Sequence, residues 1–459
     1  MQIKQLITAL GLLLFLVVLL FTPKGDSSLE TFWYAIALAG LMVVFWLFEV
    51  VPIYVTALFP VVLGIPLGLM NASDLTASYG HKYIYLFMGG FILSIALEKW
   101  EAHKQIAESI IRTVGNSKSR ILLGFLLSTG LLSMWISNTA TALMMLPMAM
   151  AILANIKEDG ESKFSKLLLL SVAYGASIGG MATLVGSPPN ILMAGLLEDS
   201  FGVKVDFFDW MIVGLPLSFV LLSVVFIFFY LLLGKERKEQ VHEVYADKKK
   251  WTTNQIRVVV LFFVIVLLWS FRTPLTGLTG IVYTDEGVAI LGAVMLFFLP
   301  GSKKGDRLLV WEDTQKLPWG ILILFGGGMA LAKMLEINGV IDELALVFTD
   351  YAGAPLAILL LILVAIAIFG TEIMSNMALV SVFIPLVAEF ALGTDYSIIQ
   401  LCMPVTLAAS CAFMLPVGTP PNAIVFSSGQ LKISQMAKTG FVLNLVGVFV
   451  VVLFSLFFI

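Results

Sequence analysis

Gly186-Ser187-Pro188-Pro189-Asn190 sits inside one apolar run, and Gly418-Thr419-Pro420-Pro421-Asn422 sits inside another, 232 residues further on. Adjacent prolines remove two backbone donors and clash with the turn before them, so no helix passes unbroken through either stretch. Both surrounding segments, 167–196 and 398–427, are apolar enough and long enough to cross a bilayer. Backbone broken at membrane depth is tolerated only where it is buried in protein or lines a cavity. Each break frees carbonyl oxygens, which suit a hard cation such as sodium. Each also starts a new helix whose N–H groups and positive dipole end suit an anion. A proline kink would account for one such motif, but a matched pair asks for more.

The surroundings of the two breaks repeat as well. Leu86-Phe87-Met88-Gly89-Gly90 recurs as Leu324-Phe325-Gly326-Gly327-Gly328 at an offset of 238, and Ser137-Asn138-Thr139 recurs as Ser375-Asn376-Met377 at the same offset. Pro147 and Pro385 share that offset too. Four landmarks in one order at nearly constant spacing indicate a duplicated chain. Its units are 1–30, an N-terminal helix and outer loop; 31–233, the first repeat; 234–255, a charged cytoplasmic linker; and 256–459, the second repeat.

Composition sets the solvent. Of 459 residues, 59% are hydrophobic and only 12% charged, against about 25% charged in a soluble domain. A net charge of −3 argues against nucleic acid as a partner. The sequence contains no zinc spacing, phosphate loop or dinucleotide fingerprint. His81, His103 and His242 are scattered and read as loop or interfacial residues. Cys402 and Cys411 on a straight helix would be about 13 Å apart, too far for a disulfide.

Apolar spans fall at 6–22, 31–48, 55–70, 83–98, 167–196, 211–233, 256–272, 287–300, 319–335, 398–427 and 440–459, eleven in all. No small-x-small cleavage site follows the first, which reads as a retained helix rather than a signal peptide. Stretches 120–155 and 355–392 are each interrupted by a Ser-Asn pair and read as re-entrant hairpins. With the N-terminus cytoplasmic and the C-terminus outside, 22 of the 27 Lys and Arg fall on the cytoplasmic side. The other five are Lys24, Lys82, Lys204, Arg272 and Lys333. This is the positive-inside bias, and treating either hairpin as a single crossing would spoil it. Segment 99–119 alternates charged and apolar residues as an interfacial helix does. The acidic 336–354 belongs on the outer face. The fold class is therefore an all-α polytopic membrane protein, with one hairpin opening inward and the other outward. Inverted repeats with broken helices are the signature of secondary transporters, whose site lies where the repeats meet.

Ser hydroxyls and Asn amides at the hairpin bends offer donors and acceptors without net charge. They can cap the hairpin helices and still ligate. None of the four motifs holds Lys, Arg or His, so an anion bound there must be neutralised by cations and helix dipoles. A membrane-embedded enzyme would need a nucleophile–base pair or a metal cluster. The core offers few ionisable residues, chiefly Glu98, Glu372 and Glu389, near span ends or hairpins.

Paired Ser-Asn motifs on inverted hairpins, with paired Gly-Ser/Thr-Pro-Pro-Asn breaks, resemble the divalent anion–sodium symporter family over residues 31 to 459. The resemblance implies a homodimer in the plasma membrane, an elevator-type mobile domain and sodium-coupled transport of C4-dicarboxylates such as succinate, malate or fumarate. Exchange, or another anion such as 2-oxoglutarate, citrate or sulfate, stays open. It also implies one sodium site at Ser133, Ser137, Asn138 and Gly186, and a second at Thr371, Met374, Asn376 and Gly418. Substrate would touch Asn138, Thr139, Pro188, Ser375, Asn376, Met377, Thr419 and Pro420. Met377 departs from the pattern, since a thioether stands where the family's best-known bacterial members have a donating Thr.

The charge bias fixes an expected labelling pattern. A cysteine replacing Lys249 should react only from the cytoplasm and one replacing Asp342 only from outside. Both reacting from one side would overturn the inverted arrangement.

Overall fold

The computed structural model describes residues 2–155, 162–241, 250–303, 305–343 and 353–459. Lys157, His242, Lys248, Lys249, Lys304 and Asp350 lie outside these. Among the described residues the chain is helical, with two isolated β-bridges and no strand. The first half contains α1 (Gln2–Phe21), α2 (Ser27–Leu47), α3 (Ile53–Thr56), α4 (Ala72–Tyr79), α5 (Lys82–Lys99), α6 (Ala102–Val114), α7 (Lys118–Ser133), α8 (Asn138–Asn155), α9 (Lys163–Gly180), α10 (Pro188–Phe201) and α11 (Phe207–Leu233). The second contains α12 (Thr253–Ser270), α13 (Arg272–Thr279), α14 (Asp285–Phe298), α15 (Trp319–Ile337), α16 (Leu356–Gly370), α17 (Asn376–Leu392), α18 (Ile398–Ala408), α19 (Pro420–Ser427) and α20 (Ile433–Phe458).

Seven helical stretches among the described residues are long and apolar enough to cross a membrane by themselves. Four of the eleven expected spans are not of that kind, for local reasons. Segment 55–70 is no single helix: α3 stops at Thr56 and a π-helical turn covers Pro60–Gly64, since Pro60 has no N–H to continue the ladder. The span at 287–300 is the 14-residue α14. The remaining two are the broken helices, split into α9 and α10 and into α18 and α19.

Both Ser-Asn stretches fold as helix–turn–helix units, α7 with α8 and α16 with α17. Hairpin arm α7 lies along α9. The approach is close because Gly179 faces Gly130: a Cβ on Gly179 would overlap the Gly130 carbonyl. Small residues at such a crossing let helix backbones touch, which is how helices associate in lipid. The breaks then cross over. Helix α19, from the second break, packs on α8 and α9 of the first half, while α10, from the first break, packs on α17. Each post-break helix thus sits against the opposite hairpin.

The interfacial segment is α6, whose Ala102, His103, Gln105, Ala107 and Ile111 are buried. His103 is therefore not a loop residue; its Nδ1 is 2.7 Å from the Leu97 carbonyl oxygen. Lys99 pairs with Asp313 at 2.7 Å, and Gln255 Nε2 donates to the Trp100 carbonyl at 3.0 Å. These contacts join the two halves at the end where α5 meets α6. Cys402 lies in α18 and Cys411 beyond its end, so the straight helix assumed for them is interrupted; both are buried thiols.

Candidate functional site

The first break leaves residues 181–187 non-helical between α9 and α10. Asn190 closes it: its Nδ2 donates to the carbonyls of Gly180 (3.0 Å) and Thr183 (2.8 Å). The second break is closed by the same device. Asn422 Nδ2 donates to the carbonyls of Ala412 and Leu415, each at 3.0 Å. All of these positions correspond at the 232 offset. In both asparagines the amide oxygen is buried without a hydrogen-bond partner.

The hairpin bend meets the break at Asn138. Ser133 Oγ donates to Asn138 Oδ1 at 2.7 Å. That oxygen also lies 3.2 Å from the carbonyl oxygens of Ala176 and Gly186. Three oxygens so close, with no proton between them, repel. Two arrangements relieve this: the amide turns so that its nitrogen donates to both carbonyls, or a cation sits among the oxygens. Hard cations gather oxygens at about 2.3–2.6 Å, which separates neighbouring ligands by about this spacing. The cradle continues around Gly186. A Cβ there would lie 2.6 Å from the Gly180 carbonyl oxygen, 2.9 Å from that of Met134 and 3.1 Å from that of Ser133. Only glycine leaves this oxygen-lined space open. The donor set is neutral oxygen throughout and fits sodium.

The second cradle repeats the first with one change. Thr371, which corresponds to Ser133, donates to Asn376 Oδ1 at 2.6 Å and lies 3.0 Å from the Ala409 carbonyl oxygen. A Cβ on Gly418 would lie 2.9 Å from Glu372 Oε2 and 3.4 Å from the Leu415 carbonyl oxygen. Glu372 occupies the position of Met134 and is 3% exposed. It is held by Met414 N at 2.8 Å, Leu415 N at 2.9 Å and Asn444 Nδ2 at 2.8 Å. A buried carboxyl group held by three donors puts further acceptor oxygen beside the cradle, which suits a cation there.

Four helices begin at the motifs: α8 at Asn138, α10 at Pro188, α17 at Asn376 and α19 at Pro420. The bend serines cap two of them. Ala140 N donates to Ser137 Oγ at 3.3 Å and Ala378 N to Ser375 Oγ at 3.2 Å. Capping and ligation are thus compatible, since the hydroxyl oxygens keep a free lone pair. Exposure separates the residues expected to bind. Ser133, Gly186, Thr371 and Gly418 are buried, whereas Ser137, Asn138, Thr139, Pro188, Met374, Ser375 and Asn376 are half-buried and Pro420 is exposed. Thr419 is buried, its Oγ1 turned to Asn422 N. Met377 is also buried, at 7% exposure, among core side chains, so the thioether is not on the open side with Thr139. Sequence reading did not find Thr183, whose Oγ1 donates to the Met134 carbonyl at 2.5 Å and accepts from Gly186 N at 3.1 Å. Nor did it find Asn444. The only signal available for either was a polar residue in an apolar run.

An all-helical, polytopic membrane protein in which each of two broken helices meets a hairpin bend has the architecture of a secondary carrier. Residues 3–459 match the family described as sodium:sulfate symporter transmembrane region, and the chain belongs to that family. A protein of Staphylococcus saprophyticus named sodium-dependent dicarboxylate transporter SdcS is 38% identical over 467 residues, covering 97% of this chain and 89% of its own length. Its namesake in Staphylococcus aureus strain RF122 is 37% identical over 468 residues with the same coverage. Among solved structures, the YdaH transporter of Alcanivorax borkumensis superposes with a TM-score of 0.60 at 14% identity, over 95% of this chain and 98% of that one. MtrF of Neisseria gonorrhoeae superposes with a TM-score of 0.57 at 11% identity, over 83% and 82%. These two speak for the fold alone.

Asn138→Ala and Asn376→Ala are each expected to abolish uptake while the purified protein elutes and melts as the parent does. Normal uptake by both would reduce the Ser-Asn pairs to helix caps. Met377→Thr is expected to leave the order of preferred anions unchanged, with succinate affinity raised by no more than about tenfold, or about 1.4 kcal/mol. A reordered preference in competition assays would put residue 377 against the substrate.

Proposed function

We propose that this protein carries C4-dicarboxylates such as succinate, malate or fumarate across the plasma membrane, driven by sodium. The observation that carries the reading is the pair of oxygen-bordered spaces at Gly186 and Gly418, each in the same half as a Ser-Asn bend, at Asn138 and Asn376. The names of the staphylococcal relatives point the same way. A dianion in a site without Lys, Arg or His needs its charge met by other means. The N-termini of α8, α10, α17 and α19 supply partial positive charge. Sodium held by Ser133, Ser137, Asn138 and Gly186, and by Thr371, Met374, Asn376 and Gly418, supplies the rest. Each Asn then faces both ways, its oxygen toward the ion and its amide nitrogen toward a substrate carboxylate. Thr139, Pro188, Ser375, Thr419 and Pro420 complete the substrate's surroundings, with Met377 backing them.

Coupling follows from this sharing. Without sodium the dianion meets buried oxygens and no base, which is an uncompensated burial. Without the dianion, two cations sit in a low-dielectric interior with only partial neutralisation. Moving both together is the less costly state. The charge bias supports eleven crossings with the N-terminus inside and the C-terminus outside, two repeats at 31–233 and 256–459, and a linker at 234–255. The family resemblance supports an elevator-type motion of the hairpins and broken helices within a homodimer. The protein is a carrier and not an enzyme.

The test is uptake of labelled anions into proteoliposomes with sodium or choline outside. Succinate, malate and fumarate are expected to enter only down a sodium gradient, and lithium to substitute poorly. Uptake unchanged in choline would remove sodium coupling. Preference for citrate, 2-oxoglutarate or sulfate would move the substrate class.

A further inference from the structure

Phe413 lies in the unwound stretch of the second break, between Ala412, whose carbonyl accepts from Asn422, and Met414, whose N–H donates to Glu372. Three independent features converge on its backbone. Tyr174 Oη donates to the Phe413 carbonyl at 2.8 Å, across 239 residues of sequence. Asn444 Oδ1 accepts from Phe413 N at 3.3 Å while its Nδ2 donates to Glu372. Gly440 makes room, because a Cβ there would overlap the Phe413 carbonyl. Tyr174 and Asn444 are fully buried, Phe413 is 1% exposed, and the Tyr174 ring lies against the Phe413 ring at 4.9 Å between centroids.

Tyr174 stands on α9, the helix that furnishes the first cradle. Ala176, two residues on, presents its carbonyl to Asn138, and Gly180 presents its own to the Gly186 space. One buried hydroxyl therefore ties the helix of the first cradle to the unwound chain of the second. The corresponding position in the second half is Thr406, and its hydroxyl donates to Cys402 O within its own helix. The link runs in one direction only.

We propose that Tyr174 is a positioning residue that couples the two sodium cradles, so that an ion settling α9 around Asn138 also settles the backbone from Ala412 to Gly418. Coupling of this kind is a free energy shared between two sites, carried here by a continuous chain of packed and hydrogen-bonded groups. It rests on the sodium-coupled reading above. It predicts that sodium ions bind cooperatively and that cooperativity depends on a hydroxyl touching neither ion nor substrate.

The test is succinate uptake into proteoliposomes as a function of sodium, for the parent, Tyr174→Phe and Ser171→Ala. Ser171 is on the same helix, and its hydroxyl donates only within it, to Leu167 O. The parent should show a Hill coefficient above one. Tyr174→Phe should raise half-saturating sodium by about fivefold and lower the Hill coefficient toward one, as loss of one buried hydrogen bond would. Succinate KM at saturating sodium should stay within about twofold, a split that general destabilisation would not give. Ser171→Ala should match the parent. A Tyr174→Phe curve superimposing on the parent, or one scaled down in maximum with its shape unchanged, overturns the proposal. Asn444→Ser frees the same residue from the other side and must shift half-saturating sodium in the same direction; an unchanged curve there overturns it as well. A parent indifferent to sodium would sink the proposed function itself, whereas a sodium-dependent parent with unaltered variants sinks only the coupling.

Discussion

The structure depends on how two interrupted helices satisfy their backbone where water is scarce. Each Pro-Pro pair strips the ladder of donors and leaves carbonyls pointing inward, and each such group unpaired in hydrocarbon would cost several kcal/mol, on the order of a lost hydrogen bond or more. Asn190 and Asn422 answer for two carbonyls each, reaching back across the break with both protons of the amide. That leaves each break a fixed loop with a defined interior rather than a hinge. Two of those bonded carbonyls, Gly180 and Leu415, still border the spaces at Gly186 and Gly418, where the first hairpin adds the Ser133 and Met134 carbonyls and the second adds the Glu372 carboxyl group. Each cradle is thus built from a closed break and the hairpin bend of its own half, while α10 packs on α17 and α19 on α8 across the repeat.

Charge balance then sets what can enter. Nothing in the four motifs carries a fixed positive charge, so the site is acceptor-rich at its buried level and presents helix N-termini at its half-exposed level. On the proposed reading, cations and an anion fit different depths of the same structure, and each lowers the cost of burying the other. A Lys or Arg in this place would bind the anion without any ion and so abolish the energetic reason for coupling. The absence of a base is a working part of the site in the same sense as the presence of the asparagines.

Much of this was legible in the sequence because the deciding residues have strong local consequences. Pro188, Pro189, Pro420 and Pro421 force breaks wherever they stand, and Ser137 and Ser375 cap helices by their chemistry alone. The 55–70 segment was misread as one helix because hydropathy does not register Pro60, whose effect is local geometry. Contacts between elements distant in sequence are harder to read, as where Gln255 meets the Trp100 carbonyl. The same holds for Tyr174 and Asn444, whose partners are contributed by the other half or by the last helix. Met377 shows the limit of reading by motif position. Its register is that of Thr139, but a long apolar side chain at the same register turns into the core, where its methylenes are buried at little cost.

Duplication made the backbone symmetric, and side chains have since made the two halves unequal. Met134 corresponds to Glu372, Thr139 to Met377 and Tyr174 to Thr406 across the repeat. The first cradle is lined by neutral oxygens alone, while the second has a carboxylate within reach, held by three donors that hold it in place and offset part of its charge. A cation therefore meets two different fields in cradles of nearly the same shape, and the two sites should not share one affinity. Tyr174 ties the helix of the first cradle to the unwound chain of the second through the Phe413 carbonyl. Symmetric backbone makes both cradles possible; the unequal side chains make them chemically different.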